Sequence, residues 1–188
     1  AQGGISIDFL GKLIERDQTV VIMAHSLPKE INQLKLLSGA LPVNDNECVV
    51  DNEYFSADSI GHKIIVSSDN EEDTIDSFKS DEYTIVGVVQ SPEYINQQRG
   101  TTKLADGSID TFIYIPEDGF DLDYYTEMYI KLNEDGYPYT DSYKSLIAIN
   151  EERIQTALDI SANARFNDVL TKAREEIAEA EVEYEDGY

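Results

Sequence analysis

Apolar residues near the start of the chain recur at helical spacing. Residues 5, 9, 10, 13 and 14 form a stripe, which predicts a short helix over residues 5–14. The β-branched run at residues 20–23 predicts a buried strand. Residues 31, 34 and 37 fit either a further short helix or an extended crossing. We therefore expect short helices and one strand in the first part of the chain.

Between residues 39 and 132 the pattern changes to short apolar runs separated by turn residues. Five runs predict strands, at residues 48–50, 62–66, 83–89, 111–115 and 127–132. The run at 83–89 is apolar on both faces, which predicts a central strand, with Gly87 at a bulge or a close backbone approach. In the last run, alternation places Met128, Ile130 and Leu132 inward. This part is expected to be a β-rich body.

After a turn at residues 133–138 the helical spacing returns and continues almost to the end. A seam with the a/d spacing of a coiled coil, flanked by glutamates, consists of Phe166, Leu170, Ala173, Ile177, Ala180 and Tyr184. Two interpretations stay open: one strand of a coiled coil whose partner lies elsewhere, or a surface helix packed on the β body. The predicted fold class is α+β: a β-rich mixed sheet body with short N-terminal helices and a long, coiled-coil-like C-terminal helix.

The charge of the chain restricts its partners. Among 188 residues, 38 are acidic and 14 basic, giving a net charge of -24, and 32 of the acidic residues follow residue 50. Such a surface repels phosphate backbones, which excludes direct nucleic-acid binding, and anionic membrane surfaces are disfavoured. Apolar residues make up 41% of the chain, so we expect a folded core rather than a disordered acidic tail.

The ends and apolar runs of the sequence bear on its context. The chain starts Ala1-Gln2-Gly3-Gly4, with neither an initiator Met nor the features of a signal peptide, and is interpreted as a piece of a longer chain or as a mature or recombinant end. No apolar run approaches the roughly 18 residues that span a bilayer.

Candidate catalytic and metal-binding groups are few. Cys48 with His25 or His62 is a conceivable thiol and base, but a small buried cysteine explains Cys48 better. The acidic run at residues 69–73 resembles a calcium loop but lacks the required glycine, which favours a solvated hairpin loop. No glycine-rich phosphate loop occurs. We predict no catalytic residue, no metal and no cofactor in this domain, which is therefore expected not to be an enzyme.

Three segments recur in an order typical of a known family: Gly39-Ala40-Leu41-Pro42 with Asn46-Glu47-Cys48-Val49-Val50, Ile60-Gly61-His62-Lys63-Ile64, and Tyr83-Thr84-Ile85-Val86-Gly87-Val88-Val89-Gln90-Ser91-Pro92-Glu93-Tyr94. This order resembles the extracytoplasmic core domain of MacB/FtsX-like ABC transporter permeases, of the long-domain Gram-positive type. The similarity covers about residues 34–184. Ala40 stands where the family usually has Arg, and His62 where Asp is common.

The resemblance implies three parts: a membrane-proximal α/β segment at residues 1–33, a β-rich core at 34–133 and a helical segment at 134–188 leading into a coiled coil. It also implies a domain on the extracytoplasmic face of the cell membrane, in a dimeric parent permease. There the domain transmits ATP-driven motion to, or contacts, an extracytoplasmic protein, peptide or lipid. ATP is bound by a separate cytoplasmic subunit.

Aromatic and arginine residues in polar loops are the expected contact surface, because such residues favour interfaces: Tyr94, Arg99, Tyr124 and Tyr125. Ordinary packing of these tyrosine rings is the alternative interpretation. Two other classes stay open. One is a secreted or wall-associated binding module, with or without cation dependence. The other is a hydrolase, which needs a cleft holding a carboxylate of raised pKa.

Overall fold

The computed structural model of the protein describes residues 1–132 and 137–186, without the side chains of residue 179 and residues 181–186. The chain divides into two units, Ala1–Lys131 and Leu132–Tyr188. The strands of the first unit are β1 (Gln2–Gly4), β2 (Ser6–Leu13), β3 (Gln18–Ser26), β4 (Lys35–Gly39), β5 (Glu47–Asp51), β6 (Lys63–Val66), β7 (Glu82–Gln90), β8 (Thr111–Ile115) and β9 (Glu127–Tyr129). Its α-helix is α1 (Glu72–Asp76), with 3-10 helices at Ile14–Arg16, Ala57–Ser59 and Glu117–Gly119, and α2 (Asp141–Asp186) belongs to the second unit.

Six strands close into a barrel-like ring, in the order β7, β5, β8, β3, β2, β6 and back to β7. The β3–β8 and β5–β7 pairs are parallel, and the other four are antiparallel. Outside the ring, β4 pairs with the second half of β7, while β1 and β9 form a separate two-stranded ladder. The predicted mixed sheet body is thus confirmed, and β2 and β3, which lie within residues 1–33, belong to the same ring.

The strands bury side chains on both faces. Residues from all six ring strands, Phe9, Ile22 and Tyr83 among them, fill the interior. A second cluster lies on the outer face of β5, β7 and β8 and consists of Val49, Val89, Phe112 and Tyr114, with Met23, Leu27, Leu34, Val86 and Tyr94 packed against it. Every residue of β8 is therefore buried. The chain segments that cover this outer face carry the candidate site described below.

The predicted N-terminal helix is wrong, because residues 6–13 form strand β2. A spacing of four residues separates Ile5, Phe9 and Leu13. It fits one face of a helix, and it also fits one face of a strand, because every second residue of a strand points to the same side. The structure uses the second option: Phe9, Gly11 and Leu13 are buried, and Gly11 lies against Ile22 of β3, where an added Cβ would come 2.3 Å from the Ile22 side chain. Pairing with β3 along eight residues outweighs the helical preference of the stripe.

The structure confirms the predicted central strand and contradicts part of the prediction for residues 127–132. The central strand at 83–89 is confirmed as β7, and a Cβ at Gly87 would lie 2.4 Å from the Ala40 carbonyl oxygen, beside a shift in register. Of the two options for residues 31–37, the extended one is found, since β4 starts at Lys35. The strand predicted at 127–132 is shorter, because β9 ends at Tyr129 and pairs with β1 outside the ring. The inward placement of Met128 and Ile130 is wrong, since both are exposed, whereas Leu132 is half-buried.

The helix α2 is 46 residues long, or roughly 69 Å at the rise of an α-helix. Its half-buried positions form a stripe near the start: Tyr143, Leu146, Asn150 and Ile154. From Ile154 to Phe166 the helix turns through about 1,200°, which places the predicted seam about 120° away from that stripe. Phe166 and Ile177 are exposed, so the coiled-coil pairing of this seam stays a prediction. The side chain of Tyr184 and the turn residues 133–136 lie outside the described residues.

Removing residues 155–188 is expected to leave the melting temperature of the barrel within about 2 °C of the full chain, because the described side chains after Ile154 are exposed apart from half-buried Leu170. Differential scanning calorimetry of both chains measures this. The full chain carrying Phe9→Ala is the positive control. Its free energy of unfolding should fall by about 3–5 kcal/mol, and its melting temperature should be clearly lower. A truncated chain that melts as low as Phe9→Ala would contradict the independence of the barrel.

Candidate partner-contact site

The loop at residues 91–100, called here the 91–100 loop, leaves the end of β7 and crosses the outer face of β8. Its Tyr94 ring stacks on Phe112 of β8, with ring centroids 4.4 Å apart and planes 6° from parallel. The Tyr94 hydroxyl lies 2.6 Å from His25 Nε2 of β3. Burial is the main cause that raises the pKa of Tyr94, so its hydroxyl stays protonated and available for hydrogen bonding. Tyr94 thus attaches the middle of the loop to two strands.

The far end of the loop is held by a buried ion pair. Arg99 donates through Nε to Asp51 Oδ2 at 2.6 Å and through Nη2 to Asp51 Oδ1 at 3.1 Å. The side chains are 5% and 1% exposed. Arg99 also donates to the Asn96 carbonyl oxygen and lies 5.5 Å from the centroids of both the Tyr94 and Phe112 rings. A bidentate pair with cation–π contacts on one side leaves the guanidinium a single position.

The near end of the loop is held by hydroxyl and carboxylate groups. Ser91 Oγ lies 2.8 Å from the Tyr114 hydroxyl, which donates to Glu93 Oε2 at 3.3 Å. Asn32 donates its side-chain amide to Glu93 Oε1 at 3.1 Å. Since Ser91, Tyr94 and Arg99 are all attached to the barrel, the loop between them has its path fixed at three points.

The tip of the loop is exposed. Ile95 has 92% of its surface accessible, and Asn96, Gln97 and Gln98 are exposed as well. Beside the tip is an open cavity of about 220 Å³, and its floor is formed by Arg99, Asp51 and Phe112. An apolar side chain presented on a firmly attached loop is typical of a surface that contacts another molecule.

The four predicted contact residues fall into two places. Tyr94 and Arg99 lie in the 91–100 loop, where their side chains point to the barrel and serve as attachments, while Ile95 between them is exposed. Tyr124 and Tyr125 are more than half exposed and border a different cavity, of about 270 Å³. The structure does not bring the two pairs into one site.

The Tyr125 cavity has its own local hydrogen bonds. Tyr125 donates to Glu117 Oε1 at 2.9 Å, and Lys29 Nζ lies 2.6 Å from Glu117 Oε2. The hydrogen bond from Lys29 is the main cause that lowers the pKa of Glu117, and the hydrogen bond to Glu117 raises the pKa of Tyr125. These bonds hold the Tyr125 hydroxyl in place, and the residue stays 54% exposed.

The candidate thiol and base are not assembled: among the described residues, Cys48 has no hydrogen bond to His25 or to His62. Cys48 is fully buried in the barrel interior, where desolvation raises the pKa of its thiol, and His25 lies on the outer face against Tyr114. His25 does contact a serine and a glutamate: Ser6 Oγ at 2.6 Å and Glu127 Oε1 at 3.4 Å, both at Nδ1. A Ser-His-acid triad needs the nucleophile and the acid on opposite ring nitrogens, so this arrangement links strands instead.

The acidic run at residues 69–73 is tied to the barrel at Asn70. The Asn70 side chain accepts from the Leu10 main-chain N–H and donates to the Leu10 carbonyl oxygen, at 2.7 and 2.9 Å. Residues 72 and 73 start helix α1. Among the described side chains, no group of three or more potential metal ligands comes together, and no helix within residues 1–132 and 137–186 is long and apolar enough to cross a membrane.

Comparison of the chain with protein-family models, with curated proteins and with solved structures found no match. The site therefore rests on its own geometry. Sequence reasoning missed Asp51 and Ile95. The sequence offers two indications of the Asp51–Arg99 pair. One is an acidic residue directly after the buried run at 48–50, and the other is an arginine in a loop of an otherwise acidic protein.

Asp51→Ala is expected to lower the free energy of unfolding by about 3–5 kcal/mol, because it leaves the Arg99 charge buried and unpaired. Replacing both residues, as Asp51→Ala with Arg99→Met, removes that unpaired charge and should restore at least half of the loss. Urea denaturation measures both. Lys63→Ala, which breaks the half-exposed pair with Glu82, is the matched control and should cost under about 1 kcal/mol. If Asp51→Ala alone is as stable as the wild type, the role given to the ion pair is contradicted.

Glu127 is expected to make the stability of the fold dependent on pH. The hydrogen bond with His25 is the main cause that lowers the pKa of Glu127. A carboxyl group whose pKa is lower when folded stabilises the fold above its unfolded pKa, near 4.3, and this contribution is lost as the pH falls through the folded pKa. Glu127→Gln should therefore lose less stability than the wild type as the pH falls from about 5 to 3.

Urea midpoints at a series of pH values between 6 and 3 measure the effect of Glu127→Gln. Glu152→Gln removes an exposed carboxylate of α2 and is expected to keep the wild-type slope. If the urea midpoint changes with pH by the same amount in Glu127→Gln and in the wild type, the contact between Glu127 and His25 does not contribute to the pH dependence of stability.

Proposed function

We propose that this chain is the extracytoplasmic domain of a MacB/FtsX-like ABC transporter permease, and that it acts by contacting a protein or peptide outside the membrane. The observation that carries the proposal is the 91–100 loop, which is fixed to the barrel at three points and presents exposed Ile95. The order of turn and strand segments along residues 34–184 is the second support, and it points to the family rather than to the contact.

A fixed contact loop suits a domain that must pass on motion. When a rigid body moves, a group attached firmly to it moves by the same amount, whereas a flexible loop would absorb the displacement. A loop already held in its bound conformation also loses little entropy on binding. The closed ring of strands provides the rigid body, and the Arg99–Asp51 pair joins the loop to it.

In this proposal, ATP is hydrolysed by a separate cytoplasmic subunit, and a pair of permease chains carries the motion across the membrane. The barrel takes no part in the chemistry of ATP. The charge of -24 directs the choice of partner, since it repels polyanions and favours proteins that are neutral or basic.

Two measurements on the parent protein test the proposal. Its coding sequence should contain apolar segments of about 20 residues on both sides of this domain, and the tagged parent protein should co-purify from detergent-solubilised membranes with an ATP-binding subunit. A parent that is released from the cell, with no such segments and no ATP-binding subunit, would instead identify a secreted or wall-associated binding module.

The role of the loop in the parent is tested by substitution. Ile95→Asp should leave assembly with the ATP-binding subunit unchanged and abolish the cellular phenotype that depends on the transporter, as loss of ATP hydrolysis does. Gln98→Ala changes an exposed residue of the same loop and is expected to behave as the wild type. A normal phenotype for Ile95→Asp would remove the loop from the proposed mechanism.

A further inference from the structure

The cavity beside the tip of the 91–100 loop is lined in part by side-chain amides. Four of the residues around it carry a carboxamide: Asn52, Gln90, Asn96 and Gln97. A carboxamide offers one acceptor oxygen and an NH₂ donor group, the same pair of functions that a peptide unit presents. The lining is therefore chemically suited to bind main-chain groups.

Much of this hydrogen-bonding capacity is free. Among the described residues, the side-chain amides of Gln90 and Gln97 have no hydrogen-bond partner, whereas Asn52 donates to Glu53 and Asn96 Oδ1 accepts from the Gln98 N–H. Arg99 directs three donors to Asp51 and to the Asn96 carbonyl. Since a guanidinium has five N–H groups, two are left.

The charge of the cavity is nearly balanced. Arg99 and Asp51 compensate each other at the floor, and Glu53 is the one further charged residue of the lining. At the rim lies Ile95, an aliphatic side chain that is 92% exposed. The cavity therefore offers hydrogen bonds along its walls, little net charge, and one apolar contact at its edge.

We propose that this cavity binds an uncharged, extended peptide segment of the protein partner. Gln90 and Gln97 pair with N–H and C=O groups of the segment, and Ile95 packs on one of its aliphatic side chains. This inference rests on the proposed function, in which the loop contacts a partner, and adds the chemistry of what is recognised. A preformed cavity on a fixed loop needs no rearrangement to receive such a segment.

A peptide fits the lining better than a sugar does. A sugar could also bond to the carboxamides, but its hydroxyl groups would leave the exposed Ile95 without an apolar partner. A peptide supplies both main-chain polar groups and an aliphatic side chain. Acidic peptides are disfavoured by the surface charge, because the whole chain carries -24.

The test uses the full chain and a phage-displayed library of random linear twelve-residue peptides. Selected peptides are synthesised, and their affinity for the wild type and three variants is measured by calorimetry. Ile95→Asp should weaken binding by about tenfold or more, and Gln97→Ala by about fivefold. Gln98→Ala is the matched control: Gln98 lies next to Gln97 and is also exposed, but it does not line the cavity, so the affinity of this variant should stay within about twofold of the wild type.

Amide NMR spectra locate the binding and decide between ligand classes. Selected peptides should shift the side-chain NH₂ signals of Gln90 and Gln97, and should contain aliphatic residues but few acidic ones. No enriched peptide, or peptides whose affinity is the same for Ile95→Asp and the wild type, would overturn the inference. Oligomers of N-acetylglucosamine that shift these signals when peptides do not would also overturn it, in favour of a glycan. If the parent protein still co-purifies with an ATP-binding subunit, such failures reject the peptide and leave the permease proposal standing.

Discussion

The buried ion pair between Arg99 and Asp51 is the interaction on which the candidate site depends. It connects the last residue of β5 with the far end of a loop that starts at β7, 48 residues apart in sequence. An ion pair of this kind adds little net stability compared with an apolar pair, but breaking it leaves a charge in an apolar surrounding. It therefore specifies one conformation: any path of the loop that separates the two charges is costly. The exposure of Ile95 is a consequence of that constraint.

The ring of strands makes this pair possible because it buries side chains on both of its faces. The interior cluster fills the ring, and the outer cluster around Phe112 and Tyr114 provides an apolar floor for Tyr94 and the guanidinium of Arg99. His25 belongs to the same layer and joins Tyr94 to Ser6 and Glu127. Stability, loop conformation and the cavity therefore derive from one continuous set of contacts on one side of the ring.

The parts of the fold that the sequence could predict are those with an unambiguous local pattern. The run at 83–89 is mostly apolar, rich in β-branched residues and ends before Ser91-Pro92, which predicts a buried strand that stops there. Residues 5–14 were misread because spacings of four fit a helix and a strand alike. The site was partly accessible: residue type singled out Tyr94 and Arg99, but their partners Asp51 and His25 are distant in sequence, and charge alone does not pair them. The exposure of Ile95 follows from those long-range contacts, which no local pattern encodes.

The central claim is that the 91–100 loop is held as rigidly as the strands it covers, and backbone ¹⁵N relaxation of the full chain tests it most directly. The account predicts order parameters for the amides of residues 94–99 close to those of β7, at about 0.8 or higher. Order parameters below about 0.6 across these residues would mean that the loop moves freely on the nanosecond timescale. That result would contradict the anchoring by Arg99 and Asp51 and, with it, the role of a fixed contact loop.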